Sequence, residues 1–175
     1  PEHAITFVDN HDTQPGQSLS SFIPPWFKPI AYSLILLRKA GIPCIFYGAY
    51  YGIPHTGVSP VCGIKKLVKI RQLYAYGEEK MYFDDRNIVG FTRGGDQNHP
   101  NSGLAVLVTN LNGGQKRMEM GMPFVGMKFK DALLKNQAVV EIDKDGFGEF
   151  DVDDGSAAVW VTEGAWEYLY TEMMP

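Results

Sequence analysis

At 175 residues the chain is long enough for one sizeable core or two small ones. Its 45% hydrophobic and 21% charged content exclude a disordered chain. A net charge of -4 gives no reason to expect a nucleic-acid partner, and no apolar run approaches the roughly 20 residues that a membrane-spanning helix needs. Cys44 and Cys62 are too few for a disulfide framework and read as buried thiols or bystanders. They favour a reducing compartment, the cytoplasm, without fixing it. The chain opens on Pro1 with no initiator Met, so it reads as part of a longer one and the missing leader decides nothing.

The predicted elements run as follows. Ala4 to Val8 is an apolar, β-branched run that reads as a buried strand, followed by the polar loop Asp9 to Gly16. Trp26 to Lys39 carries Ile30, Leu34 and Leu37 at helical spacing, with Pro25 for a first turn and Gly41 as a stop. Ile42 to Tyr47 is a second buried strand, and Gly48 to Gly57 a glycine-rich loop. Ile64 to Tyr74 alternates basic and apolar residues in three- and four-residue steps, which predicts an amphipathic helix. Strand, helix, strand, helix with continuous apolar strands means parallel βα units.

A change of texture at Gly77 marks a boundary. Residues 1–77 hold seven Lys/Arg against three acids, a net of +4, and residues 78–175 hold nine against seventeen, a net of -8. Beyond Gly77 short runs of Val, Ile, Phe and Tyr alternate with turn signals such as Gly94-Gly95-Asp96 and Asn112-Gly113-Gly114. About eight strands are predicted, among them Ile88–Thr92, Leu104–Thr109, Val139–Ile142 and Ala157–Thr162, which argues for an antiparallel sandwich. The tail from residue 164 to 175 is either a docked helix or an exposed extension. The fold class is thus α/β plus all-β, with an incomplete βα region at 1–77, a sandwich at 78–163 and an extension at 164–175.

Function in parallel α/β folds sits on loops that follow the strands. Asp9-Asn10-His11-Asp12-Thr13 is such a loop. Composition alone leaves it open as a self-capped turn or as a site. A hydrolase triad is disfavoured because no Gly-x-Ser-x-Gly elbow occurs, and a metal site because no second His stands at ligand spacing.

The string Phe7-Val8-Asp9-Asn10-His11-Asp12-Thr13 resembles the fourth conserved region of the α-amylase family, glycoside hydrolase family 13. The match continues through Gln14 to Leu19, Trp26 to Pro29, Ile45 to Gly48 and Tyr74 to Gly77. Within the sandwich it includes Ile88 to Arg93, Ser102 to Ala105 and Gly146 to Phe150. It covers the chain to about Glu163 and is nearest to the bacterial liquefying and intracellular type. The resemblance implies the last two βα units of a (β/α)8 TIM barrel followed by the amylase C-terminal β-sandwich. It implies hydrolysis of internal α-1,4-glucosidic bonds of starch or glycogen with retention, on an α-glucan substrate.

By the same resemblance Asp12 is the catalytic transition-state stabiliser and His11 a substrate-binding residue, while Asp9 and Asn10 support the loop. An oxocarbenium-like transition state gains from a nearby carboxylate and from sugar hydrogen bonds. Tyr47, Tyr50 and Tyr51 offer either a stacking surface or packing at the rim. Retaining hydrolysis needs two carboxyl groups about 5–5.5 Å apart, and the family carries them upstream of Pro1. Thr13 to Gly77 holds no acid at all, so this chain alone is expected to be inactive.

Two departures bear on geometry and metal. Ala49 stands where the family usually has Asp. Arg86, Asn87 and Asn110 stand where some relatives bind calcium, so no cofactor or metal is expected in this chain, and calcium is left to the upstream part of such an enzyme. Asp143-Lys144-Asp145-Gly146 lacks the third acidic ligand of a calcium loop and reads as a hairpin turn. A second reading is a non-catalytic carbohydrate-binding or scaffold module. A third has the chain pair with a separately made N-terminal piece. Two βα units leave a strand edge bare, so self-association or pairing with the rest of a barrel is expected, with Val8, Ile45 and Phe46 near the contact.

Overall fold

The computed structural model of the chain describes residues 2–20 and 23–171. It opens with two βα units. β1 (Ile5–Thr6) pairs in parallel with β2 (Ile42–Pro43), with Ile5 opposite Ile42 and Thr6 opposite Pro43. Regular pairing is shorter than the apolar runs, because each strand has one neighbour and a ladder extends only as far as its partner. Between them lies α1 (Lys28–Leu37), with Pro29 in its first turn. It ends short of Lys39. The Arg38 guanidinium bonds Glu79 Oε1 at 2.8 Å and the Lys39 amide bonds Glu79 Oε2 at 2.7 Å, which draws the chain out of the helix.

The loop expected at Gly48 starts as a helix instead. α2 (Tyr47–Tyr51) takes Tyr47 out of the predicted strand: Phe46 is extended, and its carbonyl accepts from the Ala49 amide at 3.0 Å. α3 (Ile64–Tyr74) has the predicted bounds and packs against α1.

Eight strands follow: β3 (Glu79–Tyr82), β4 (Ile88–Arg93), β5 (Leu104–Thr109), β6 (Gly114–Glu119), β7 (Lys128–Asp131), β8 (Val139–Glu141), β9 (Phe147–Val152) and β10 (Ala157–Thr162). Six form one antiparallel sheet in the order β3-β4-β5-β10-β7-β8, and β6 pairs with β9 in a second. The centre of the large sheet is β5 and β10, buried at every position. Period-2 side-chain alternation divides each between two cores. Leu104, Val106, Val108, Val159 and Val161 join the cluster of α1 and α3, whereas Ala105, Leu107, Ala158 and Trp160 face Met118 and Phe150 of the β6–β9 pair. One apolar cluster therefore runs from the helices to the sheet across Gly77. The tail is a helix, α4 (Glu163–Thr171), docked through buried Ala165 and Leu169. The rest of the C-terminal extension, 172–175, lies outside the described residues.

One expectation needs correction. Cys44 and Cys62 are both exposed, not buried, because neither side chain falls on the core face of its segment. Val8, Ile45 and Phe46 are half-buried against their own core. The uncovered apolar surface beside them is formed by Ile5, Phe7, Ile42 and Tyr47.

Candidate functional site

The Asp9–Thr13 loop leaves the C-terminal end of β1 and divides its side chains between inside and outside. Asp9 is 7% exposed. Its carboxylate accepts from Lys28 Nζ at 2.6 Å and from the Tyr32 hydroxyl at 2.6 Å. Lys28 and Tyr32 lie four residues apart on α1 and so share a helix face. A buried carboxylate with an ammonium and a phenol is a satisfied group. Burial, and then the hydrogen bond to Asp9, raise the Tyr32 pKa well above the ordinary phenol value.

Asn10 folds the loop on itself. Its side-chain oxygen accepts from the amides of Asp12 and Thr13, each at 3.0 Å, and the Thr13 hydroxyl accepts from the Asn10 amide at 3.0 Å. This is an Asx-type turn. Its effect is to turn His11 and Asp12 outward, with side chains 79% and 55% exposed and His11 Nε2 3.3 Å from Asp12 Oδ1. The self-capped turn and the displayed His–Asp pair are thus both present, on different residues of the same loop.

A small cavity of about 40 Å³ lies behind the loop between Asp9, Thr13, Lys28 and Phe46; His11 and Asp12 do not line it. Tyr47 and Tyr51 are exposed, and their rings lie 4.6 Å apart. Tyr50 packs against the core. Among the described residues no three His, Cys, Asp or Glu converge to hold a metal ion, and no helix is long and apolar enough to cross a membrane. Asp143 takes up the hairpin turn, its Oδ1 accepting from the Asp145 and Phe147 amides at 2.9 Å each.

Sequence reasoning missed Lys28 and Tyr32. The available signal was the pairing of one cation and one phenol at i, i+4 on the helix that follows an acidic loop. It also missed buried Arg93, which donates to the carbonyls of Leu37 and Gly77 at 3.1 and 3.2 Å and so ties α1 to the sheet.

Over 162 residues the chain is 48% identical to an α-amylase of Geobacillus stearothermophilus, a match covering 92% of this chain and 30% of that protein. Over 164 residues it is 46% identical to the glucan 1,4-α-maltohexaosidase of Bacillus sp. (strain 707), covering 93% of this chain and 32% of that protein. In fold it resembles the crystal structure of an Anoxybacillus α-amylase, with a TM-score of 0.65 and 18% identity over 92% of this chain and 38% of the other. No protein-family model matches the chain. It spans about a third of the length of these relatives. Its architecture is that of the last two βα units of a (β/α)8 barrel followed by the amylase C-terminal sandwich. The chain belongs to the α-amylase family, glycoside hydrolase family 13, and matches the C-terminal part of its bacterial members.

Proposed function

We propose that this chain supplies the C-terminal part of an α-amylase that hydrolyses internal α-1,4-glucosidic bonds of starch or glycogen with retention. In this reading Asp12 stabilises the transition state and His11 hydrogen-bonds the sugar at the cleavage point, while Asp9 and Asn10 fix the loop that carries them. The observation that carries it is the division of the loop: every polar side chain that turns inward is bonded, and His11 and Asp12 are left displayed together.

The chemistry follows from charge. As the glycosidic bond breaks, positive charge grows on the ring, and a fixed carboxylate beside it is worth more in the transition state than in the ground state. The nucleophile and the general acid must come from elsewhere. Glu2, Asp9 and Asp12 are the only acids in residues 1–77, and Asp9 is committed to Lys28 and Tyr32. The chain by itself is therefore inactive in this reading. The surface of Ile5, Phe7, Ile42 and Tyr47 is the seat for the rest of a barrel, and a second copy covers it when the rest is absent.

The test is Asp12→Asn in the complete enzyme. The fold is retained and kcat on soluble starch falls by about 10²–10³-fold or more. Wild-type kcat in that variant would remove Asp12 from the mechanism.

A further inference from the structure

We propose that the chain carries a second saccharide site, separate from the Asp12 loop, in the depression between the end of α3, the β4–β5 loop and α4. The proposal rests on the α-glucan reading above and extends it to a place that shares no residue with that loop. The depression is about 290 Å³, and the groups that matter in it are Gln72, Tyr74, Asn98, His99, Asn101 and Tyr168. That volume is at the low end for small-ligand sites and has room for about one or two hexose rings.

The lining selects the class of ligand. It contains no carboxylate, ammonium or guanidinium, so nothing in it recognises an anion or a cation by charge. It offers three side-chain amides, two phenols and an imidazole instead. Among the described residues, the amides of Gln72, Asn98 and Asn101 and the hydroxyl of Tyr168 make no hydrogen bond within the chain. Amides and phenols that both donate and accept are complementary to vicinal hydroxyls, which also do both. Tyr168 is 43% exposed and presents ring surface to the apolar C–H face of a pyranose. A neutral, polyhydroxylated ring satisfies both demands at once.

Part of the site is also set before any ligand arrives. The Asp96 carboxylate accepts from the Asn98 and His99 amides at 2.9 and 3.0 Å and holds His99 Nδ1 at 2.7 Å. With Nδ1 engaged by a carboxylate, Nε2 is the ring's remaining partner for a hydroxyl. The other face of the imidazole is stacked on Tyr76, with interplanar angle 5°. The Gly103 amide donates to the Tyr74 carbonyl at 2.9 Å and fastens the loop to the end of α3. His99, held by Asp96 and stacked on Tyr76, loses little freedom on binding. The unbonded amides and Tyr168 must be ordered by the sugar, which keeps such a subsite weak. Placed away from Asp12, such a site would keep a long glucan near the enzyme by raising its local concentration.

The test uses the 175-residue chain, its backbone amide NMR spectrum and maltotriose. Saturable shifts are expected at Gln72 and Asn98 to Asn101, with a dissociation constant on the order of millimolar. Tyr168→Ala, and Asn101→Gly, which suits the positive φ of 59° at that position, each weaken them by about tenfold. Asp12→Asn leaves them unchanged. Shifts confined to the Asp12 loop would overturn the second site while leaving the proposed function standing. The absence of shifts at these residues up to about 50 mM, well above a millimolar constant, or shifts that survive both variants, would overturn it as well.

Discussion

Lys28 Nζ stands 2.6 Å from Asp9 Oδ2, with the lysine side chain 18% and the aspartate 8% exposed. The pair joins the first turn of α1 to the start of the site loop across 19 residues of chain. A surface ion pair contributes little, but one withdrawn from water behaves differently. Removing one partner strands the other charge.

Lys28→Met is accordingly expected to cost about 3 kcal/mol or more, and Asp9→Asn with Lys28→Met clearly less than Lys28→Met alone. Urea denaturation of the four-member cycle measures this. Hydrogen exchange at the Asp12 and Thr13 amides should quicken in the single variant, because their acceptor, Asn10, follows Asp9 directly. A change below about 0.5 kcal/mol would show that the pair does not hold the loop.

Two glycines separate backbone strain from backbone collision. Gly57 has φ 71° and open space where a Cβ would be. Alanine there should cost about 1–2 kcal/mol from the left-handed conformation alone. At Gly77, φ is 81° and a Cβ would stand 2.2 Å from the Gly95 carbonyl oxygen and 2.5 Å from its nitrogen. Gly77→Ala should therefore cost at least about 2 kcal/mol more than Gly57→Ala. Equal melting temperatures for the two variants would contradict the close approach.

Burial, and then the Asp131 carboxylate, push the Tyr170 phenol up to about 12, and burial likewise raises Tyr32 and Tyr74. Between the unfolded phenol value near 10 and the raised folded value, the folded chain keeps protons that the unfolded chain has lost. Stability is therefore intact below pH of about 10 and falls as pH rises toward about 12. Lys66, lowered from 10.5 by burial, acts with the opposite sign. Comparison with Tyr170→Phe isolates the phenol: the variant should lose less stability over that range in urea titrations. Parallel curves would refute the assignment.

Calcium should leave the melting temperature of this chain unchanged at millimolar concentration, an order-of-magnitude choice above weak-site dissociation constants. Arg86 and Asn87 offer no anionic ligand, and the neighbouring Asp85 Oδ1 already accepts from the Asn87 and Ile88 amides at 2.7 and 2.8 Å. Calorimetry with and without the ion decides, and an upward shift would reveal a ligand set other than these.

How much of this was legible can be judged element by element. The bounds of α3, β5 and β10 follow from the residues, because each is a dense apolar pattern closed by turn formers on both sides. The Asp9–Thr13 loop is equally plain as a loop, since a run of polar residues ends an apolar strand, but nothing local marks Asp9 as the one that turns inward and is buried. What the chain by itself determined is therefore where segments are apolar and where they stop. Tertiary structure alone decided which neighbour each one meets. Periodicity records how many faces a segment buries and is silent about against what. That is why β5 and β10, apolar on both faces, gave no sign that helices cover one side and the β6–β9 pair the other. It is also why Lys28 and Tyr32, ordinary residues at the head of a helix, became partners of Asp9 only when parallel pairing of β1 and β2 laid α1 beside the loop. Burial of Asp131 has the same origin. Four backbone amides, those of Leu133, Lys135, Asn136 and Val159, converge on its carboxylate, and one of them comes from a strand 28 residues away. No local pattern encodes such a meeting, because its stability depends on dehydration that the folded neighbours supply.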